Sequence, residues 1–330
     1  MTTRRHLLAG LAPLTALAAL PARAQPASSP AWPERPVRVM VPFPPGSTPD
    51  IAARAVATHF TQVFGQPFVA ENRSGAGGTI GTEAVAKATD GHTIGVTINA
   101  PLTTAPVLYP NLGYDPRRDL APVSLLLRMA QVLVVHPSVP AQELAGFLAH
   151  VRANPEQLSY GTVGSGSAGH LAVEDLSARA GGLRMLHVPY RGFPPAVLDL
   201  VAGRLQAMIL TVAAVLPQIR AGQLRALGVS AGARIPQLPD IPTFAEAGMP
   251  DSESYAWIGL IAPAATPAER VARLAAEAKR GLDEPQARAA LENAGFEVVA
   301  SSPAEFAGFV AAETARWGGL VTRLGIRLEG

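Results

Sequence analysis

Apolar residues along this chain come in short runs, separated by longer amphipathic stretches and by junctions rich in glycine and proline. Val37-Arg38-Val39-Met40-Val41 reads as a buried strand. Residues 51–64 place Ile51, Ala55, Phe60 and Phe64 along one face of a helix that Gly65 and Pro67 stop. Phe68-Val69-Ala70-Glu71-Asn72 predicts a second strand, residues 73–79 a glycine-rich loop opening another helix, and residues 93–98 a third strand ending in Asn99-Ala100-Pro101. A second series starts near Gln131, with strands predicted over 132–135, 158–163, 183–188, 205–210 and 224–229. Helices are predicted between them over 141–152, from the loop at 164–170 through 179, and over 195–202. A proline-rich loop over 236–250 ends that unit. The tail predicts a strand at 255–261, helices at 267–282 and 284–294, a strand at 296–300 and a long helix at 303–324.

Strands alternating with helices at this spacing argue an α/β fold of doubly wound, mainly parallel sheets. The tail lacks a full βαβ set, so it is expected to return to the first unit, with 120–127 and 252–261 as the two crossovers. That predicts a bilobed molecule with a ligand cleft: 34–124 and 255–330 form a first domain, and 125–254 a second.

The junctions are where such sheets bind ligands. Pro42-Phe43-Pro44-Pro45-Gly46-Ser47-Thr48-Pro49-Asp50 ends a strand and opens a helix, with Thr48 as the expected N-cap and Pro49 at the first helical position. Gly46 lets the backbone turn, so free N–H groups and the positive helix end point outward, a setting suited to a carboxylate or phosphate. Ser165, Gly166 and Ser167 offer the same chemistry at a second helix start, with His170 in its first turn, where capping is an equally good role. Asn99, Ala100 and Thr211 end strands at the expected cleft edge, and Tyr190 with Arg191 supplies an aromatic wall and a bidentate carboxylate partner. Asp50 would repel a carboxylate, so it is expected to order its loop or meet an amine. Trp257 reads as core rather than as a surface for stacking.

Composition changes the picture mainly at the N-terminus. Met1 to His6 is short and basic, residues 7–20 are apolar, and Ala22-Arg23-Ala24 offers a cleavage site before Gln25. Residues 1–24 therefore read as an export signal cleaved after Ala24, by the twin-arginine or the general secretory route, and 25–33 as a short mature lead. Without Arg4, Arg5 and Arg23 the 27 basic residues fall to 24 against 25 acidic ones, which gives no electrostatic case for nucleic acid. The absence of cysteine excludes disulfides, a thiol nucleophile and thiolate metal sites.

Enzyme motifs are incomplete. Gly164-x-Gly166-x-x-Gly169 matches a dinucleotide fingerprint, but the next strand end, Val188-Pro189-Tyr190-Arg191, carries no acid for the ribose. Arg191 would suit only a phosphorylated cofactor, which leaves an exported NADP-dependent oxidoreductase as the alternative from a different class. Ser165-Gly166-Ser167-Ala168-Gly169 lacks the first glycine of a nucleophile elbow, and no histidines stand at metal-ligand spacing. No catalytic residue, metal or cofactor is assigned.

Trp32-Pro33-Glu34-Arg35-Pro36-Val37, Val41-Pro42-Phe43-Pro44-Pro45-Gly46 and Glu71-Asn72-Arg73-Ser74-Gly75-Ala76-Gly77-Gly78 resemble the Bug-type receptors of tripartite tricarboxylate transporters. The likeness continues through Tyr114-Asp115-Pro116, His187-Val188-Pro189-Tyr190-Arg191-Gly192 and Leu238-Pro239-Asp240-Ile241-Pro242-Thr243. The resemblance implies a monomeric periplasmic binding protein of the type II, clam-shell kind, which closes on a small organic acid. It implies delivery to membrane permease subunits, or, as the nearest alternative, reporting of occupancy to a signalling partner. In the family the loops matching 43–50 and 165–170 hold a ligand carboxylate. This chain has Pro49 where the family usually has a hydroxyl residue, Leu210 where a polar residue is common and Arg191 where Lys is common, which suggests a less polar second end to the ligand.

Overall fold

In the computed structural model, residues 32–327 are described. The predicted signal segment and most of the lead lie outside them. The elements run β1 (Val37–Val41), α1 (Thr48–Phe64), β2 (Phe68–Asn72), α2 (Thr79–Ala86), β3 (Thr93–Ile98), three short helices α3 (Asn99–Thr103), α4 (Ala105–Leu108) and α5 (Pro116–Asp119), and β4 (Leu120–Val135). They continue with α6 (Leu144–Ala153), β5 (Ser159–Thr162), α7 (Ala168–Arg179), β6 (Leu186–Pro189), α8 (Phe193–Val201), β7 (Ala207–Thr211), α9 (Val212–Arg220) and β8 (Arg225–Val229). The tail adds β9 (Tyr255–Pro263), α10 (Ala268–Asp283), α11 (Pro285–Asn293), β10 (Glu297–Val298) and α12 (Pro303–Leu324).

The strand order is β2-β1-β3-β9-β4-β7-β5-β6, with β8 and β10 also paired to β4. The sheet is mixed rather than purely parallel. β1, β2 and β3 are parallel, as are β5, β6 and β7, but β9 and β4 run antiparallel to their neighbours. Residues 120–127, expected as a crossover, lie within a strand. They are the start of a 16-residue strand whose partner changes from β9 to β7 and β8 between Ala130 and Gln131, so β4 joins two sheets, one holding β1, β2, β3 and β9 and the other β5, β6, β7 and β8.

Beyond that point the alternation of β4 feeds two cores. Val132 and Val134 pack with Met208 and Leu210 beneath α8 and α9. Leu133 and Val135 pack with Ile209 against α6 and α7. Trp257 and Ile261 of β9 join Met40, Val85, Leu125 and Phe306 in a third cluster. A strand segment buried on both faces favours apolar residues at successive positions, as in the run Val132-Leu133-Val134-Val135 of β4.

Where β4 changes partner, Gln131, Ser230 and Ser254 form a buried knot. Gln131 N–H donates to Ser230 Oγ at 2.9 Å, its Nε2 donates to Ser254 Oγ at 3.2 Å, and Ser230 Oγ donates to Ser254 C=O at 2.5 Å. The two chain segments that connect the sheets are thereby tied to each other.

Candidate functional site

Two loops, one from each sheet, are built alike. In the first, Gly46 adopts φ +78°, Ser47 is the N-cap of α1, and Asp50 accepts the Gly46 N–H at 3.0 Å. In the second, Gly166 adopts φ +77°, Ser167 is the N-cap of α7, and His170 Nδ1 accepts the Gly166 N–H at 2.9 Å. The N-cap of α1 is thus Ser47, one residue before the expected Thr48. In both loops the third helical residue reaches back to accept a loop N–H, and the serine hydroxyl makes no capping bond to its own helix. A third junction places Thr211 as the N-cap of α9, again without a side-chain cap.

The hydroxyl oxygens of Ser47, Ser167 and Thr211 are buried and have no hydrogen-bond partner among the described residues. All three residues line one small cavity of about 30 Å³. A buried hydroxyl left unpaired costs about 1–3 kcal/mol, so three of them on one cavity make it the candidate site. The cavity also collects the N-termini of α1, α7 and α9, whose first-turn N–H groups have no intrahelical acceptor and whose dipoles favour negative charge. Its other walls are mainly apolar, including Phe43, Ile98, Met129, Phe193, Trp257 and Ile258, and no charged side chain lines it.

The first loop is held rigidly. Arg54 Nε and Nη2 donate to the two Asp50 carboxylate oxygens at 2.9 and 3.0 Å, and Asn72 Nδ2 donates to Asp50 Oδ1 and to Phe43 C=O at 2.9 and 2.8 Å. Burial acts to raise the Asp50 pKa, but the hydrogen bonds from Arg54, Asn72 and Gly46 outweigh it and hold the carboxyl below its usual range. Asp50 therefore orders the loop, one of the two roles expected of it. His170 stacks on His187 with ring centroids 4.3 Å apart, and burial, aided by that neighbour, pulls its pKa down to about 3. A neutral ring is what its Nδ1 needs to accept.

Of the residues singled out from the sequence, Phe43, Ser47, Thr48, Asn99, Ser167 and Thr211 come together at the cavity. The Asn99 amide is also engaged by β9, accepting from Trp257 N–H at 3.1 Å and donating to Tyr255 C=O at 3.3 Å. Gly46, Ser165, Gly166 and His170 shape the loops without lining the cavity, and Ala100 is buried in α3. Tyr190 points elsewhere: its hydroxyl donates to Asp199 at 2.7 Å, and burial, with that bond, pushes its pKa up to about 12. Arg191 is exposed and has no ion-pair partner among the described residues. Leu210 faces the core rather than the cavity.

Sequence reasoning missed Met129, Gln131 and Phe193, and assigned Trp257 to the core alone. Trp257 is fully buried, with its indole N–H on Glu313 Oε2 at 3.1 Å, yet it also forms a cavity wall. The one available signal was Gln131, a polar residue in the middle of an apolar strand.

The glycines of the dinucleotide-like motif are explained by packing. A Cβ on Gly164 would lie 3.0 Å from Gly77 Cα, one on Gly166 2.4 Å from Leu108 Cδ1, and one on Gly169 2.2 Å from the Ile209 carbonyl oxygen. Thr104 Oγ1 also donates to Gly166 C=O at 3.0 Å, so loops from the two sheets touch directly.

The tripartite tricarboxylate transporter family receptor pattern matches residues 52–326. The chain is 41% identical over 320 residues to the UPF0065 protein of the tcbD-tcbE intergenic region of Pseudomonas sp. strain P51, covering 96% of this chain and 94% of that protein. Among solved structures it is similar to R. palustris Rpa4515 with adipate, at TM-score 0.86 and 36% identity over 90% of this chain and 99% of that one. MatC (Rpa3494) from Rhodopseudomonas palustris with bound malate gives TM-score 0.83 and 34% identity over 88% of this chain and 100% of that one. The chain belongs to the tripartite tricarboxylate transporter receptor family and has the fold of a periplasmic binding protein.

Proposed function

We propose that this protein captures a small organic carboxylate between two lobes and presents it to membrane permease subunits. The single observation that carries the reading is the convergence of three unpaired hydroxyls, each the N-cap of a different helix, on one cavity without charged walls. A carboxylate offers only acceptors, and the site offers it donors: the hydroxyls of Ser47, Ser167 and Thr211 and the first-turn N–H groups behind them. Helix N-termini stabilise an anion by up to about 2 kcal/mol each when partly buried. The adipate and malate of the similar structures have this chemistry.

The lobes are residues 34–124 with 255–330, and 125–254, moving about β4 and the segment entering β9. Closure brings the loop bearing Ser47 and the loop bearing Ser167 onto the same carboxylate. A ligand that touches both loops binds the closed form more tightly than the open one, and that difference drives the motion. The cavity lining carries no histidine, carboxylate or lysine to activate its hydroxyls, which supports binding rather than turnover. The chain works outside the cytoplasm as a monomer after removal of residues 1–24.

Thermal unfolding of the mature chain with a panel of mono- and dicarboxylates tests this. A carboxylate at 100 times its dissociation constant adds about 2.7 kcal/mol of stability, and Ser167→Ala, which removes a donor without adding bulk, abolishes the shift. A panel without any stabilising acid overturns the proposal.

A further inference from the structure

A groove of about 350 Å³ lies immediately outside the inner cavity, between the first turns of α1 and α8 and the side of α9. It shares Ser47, Thr48 and Phe193 with the cavity, so these three residues form a neck between the two spaces. Its walls are apolar: Ile51, Pro194, Val197 and Leu198 face it. Ile51 is 42% exposed and Leu198 70% exposed, an unusual investment of large apolar surface beside a polar site. Gln218 is its polar end, and the buried Gln218 Oε1 has no partner among the described residues.

The volumes decide how a ligand is placed. A water needs about 10–15 Å³ of such space, so the inner cavity takes a group of two or three heavy atoms, the size of a carboxylate. The remainder of any larger acid must lie elsewhere. The only neighbour sharing the donors Ser47 and Thr48 among the cavities described is this groove. Neither space has a cationic lining residue, so a second carboxylate gains no ion-pair partner there, whereas an apolar body matches the groove walls.

We infer that the ligand is a monocarboxylate with an elongated apolar body, its head on the three helix caps, its body passing the Ser47–Phe193 neck into the groove, and a hydrogen-bond donor at its far end meeting Gln218. This rests on the carboxylate reading above and narrows it.

The test is calorimetric titration of the mature chain with butanoate, hexanoate, octanoate, 8-hydroxyoctanoate and the dicarboxylate suberate at pH 7. Burial of each added methylene strengthens binding about fourfold, so octanoate binds on the order of 100-fold tighter than butanoate and tighter than suberate. Leu198→Asp, at an exposed position that does not threaten the fold, shrinks the octanoate-to-butanoate ratio. 8-Hydroxyoctanoate binds more tightly than octanoate, and Gln218→Leu removes that preference. Affinity flat with chain length, suberate binding as well as octanoate, or a ratio untouched by Leu198→Asp overturns the groove assignment while leaving the carboxylate site intact. No response to any acid, butanoate included, from a protein with a normal melting transition overturns the carboxylate reading itself.

Discussion

Ser47 and Ser167 stand with unpaired hydroxyls in loops that Asp50 and His170, three residues on, hold by accepting a backbone N–H. His170 is therefore a positioning residue that never touches the cavity, and its removal should cost affinity. His170→Ala leaves the Gly166 N–H without its acceptor and loosens the loop that places Ser167; we expect carboxylate binding to weaken about tenfold or more, a loss of about 1.4 kcal/mol. His170→Gln retains an acceptor and restores most of it; equal affinity in all three proteins would refute the role. The same residue predicts a pH dependence. Its pKa is lowered from 6.5 to about 3, by burial first and by His187 second, with Glu174 the facing carboxylate at 3.9 Å. Between those values the unfolded chain binds more protons than the native one, so stability rises with pH there and levels off above 6.5. Urea unfolding from pH 4.5 to 7 should show a steeper loss on acidification for the native chain than for His170→Gln. The serines and Thr211 were legible in the sequence because they stand at strand-to-helix junctions. Trp257 and Met129 were not, since an apolar residue in mid-strand looks the same whether it faces a core or a ligand. Tyr190 and Arg191 sit at a junction too, but Asp199 draws the tyrosine aside and nothing holds the arginine inward.

Among the elements, the long regular ones followed from periodicity: α12 spans Pro303–Leu324 as the pattern predicts, and β1 and β2 keep their predicted limits. The departures have physical causes. α9 escapes notice because Pro217 lies inside it, where proline removes a backbone donor and normally signals a break. β4 reads as a crossover over 120–127 and a short strand over 132–135 because its apolar run is interrupted at Arg128 and Gln131, yet pairing to β9 on one side and to β7 and β8 on the other keeps it continuous. Two glycines separate packing from propensity. Gly169 lets α7 approach β7, and a Cβ there would sit 2.2 Å from the Ile209 carbonyl oxygen, a backbone atom unable to yield cheaply. Gly169→Ala should cost about 1–3 kcal/mol by chemical denaturation, in the range of other overpacking changes. Gly308, exposed within α12, would meet nothing within 4 Å. Gly308→Ala should stabilise by about 0.5–1 kcal/mol. The opposite order of effects would contradict the packing of α7 on the sheet.

For the whole molecule the question is whether the contacts between loops of the two sheets are required for capture. Pro44, in the loop that carries Ser47, lies against Gly192, at the start of α8: a Cβ on Gly192 would be 3.0 Å from Pro44 Cδ. Gly192 has φ 170° and ψ 170°, an extended backbone that any residue adopts, so a side chain there adds bulk without local strain. It also lies outside the cores of both sheets, which leaves each free to fold around a larger residue. Gly192→Leu is therefore a wedge across the proposed cleft. If closure assembles the carboxylate site from Ser47 on one side and Ser167 on the other, separating the loops leaves each set of donors intact but prevents both from reaching one ligand. We expect the variant to unfold at nearly the native temperature without ligand, to bind the best carboxylate at least tenfold more weakly, and to keep a larger radius of gyration in small-angle scattering when ligand is added. Native affinity in Gly192→Leu would mean that the two loops need not meet, and that one helix terminus alone holds the anion. The distinction matters for transport, because a receptor that recognises its ligand only by meeting around it also displays its occupancy as a change of shape, which a permease can read before the ligand is released.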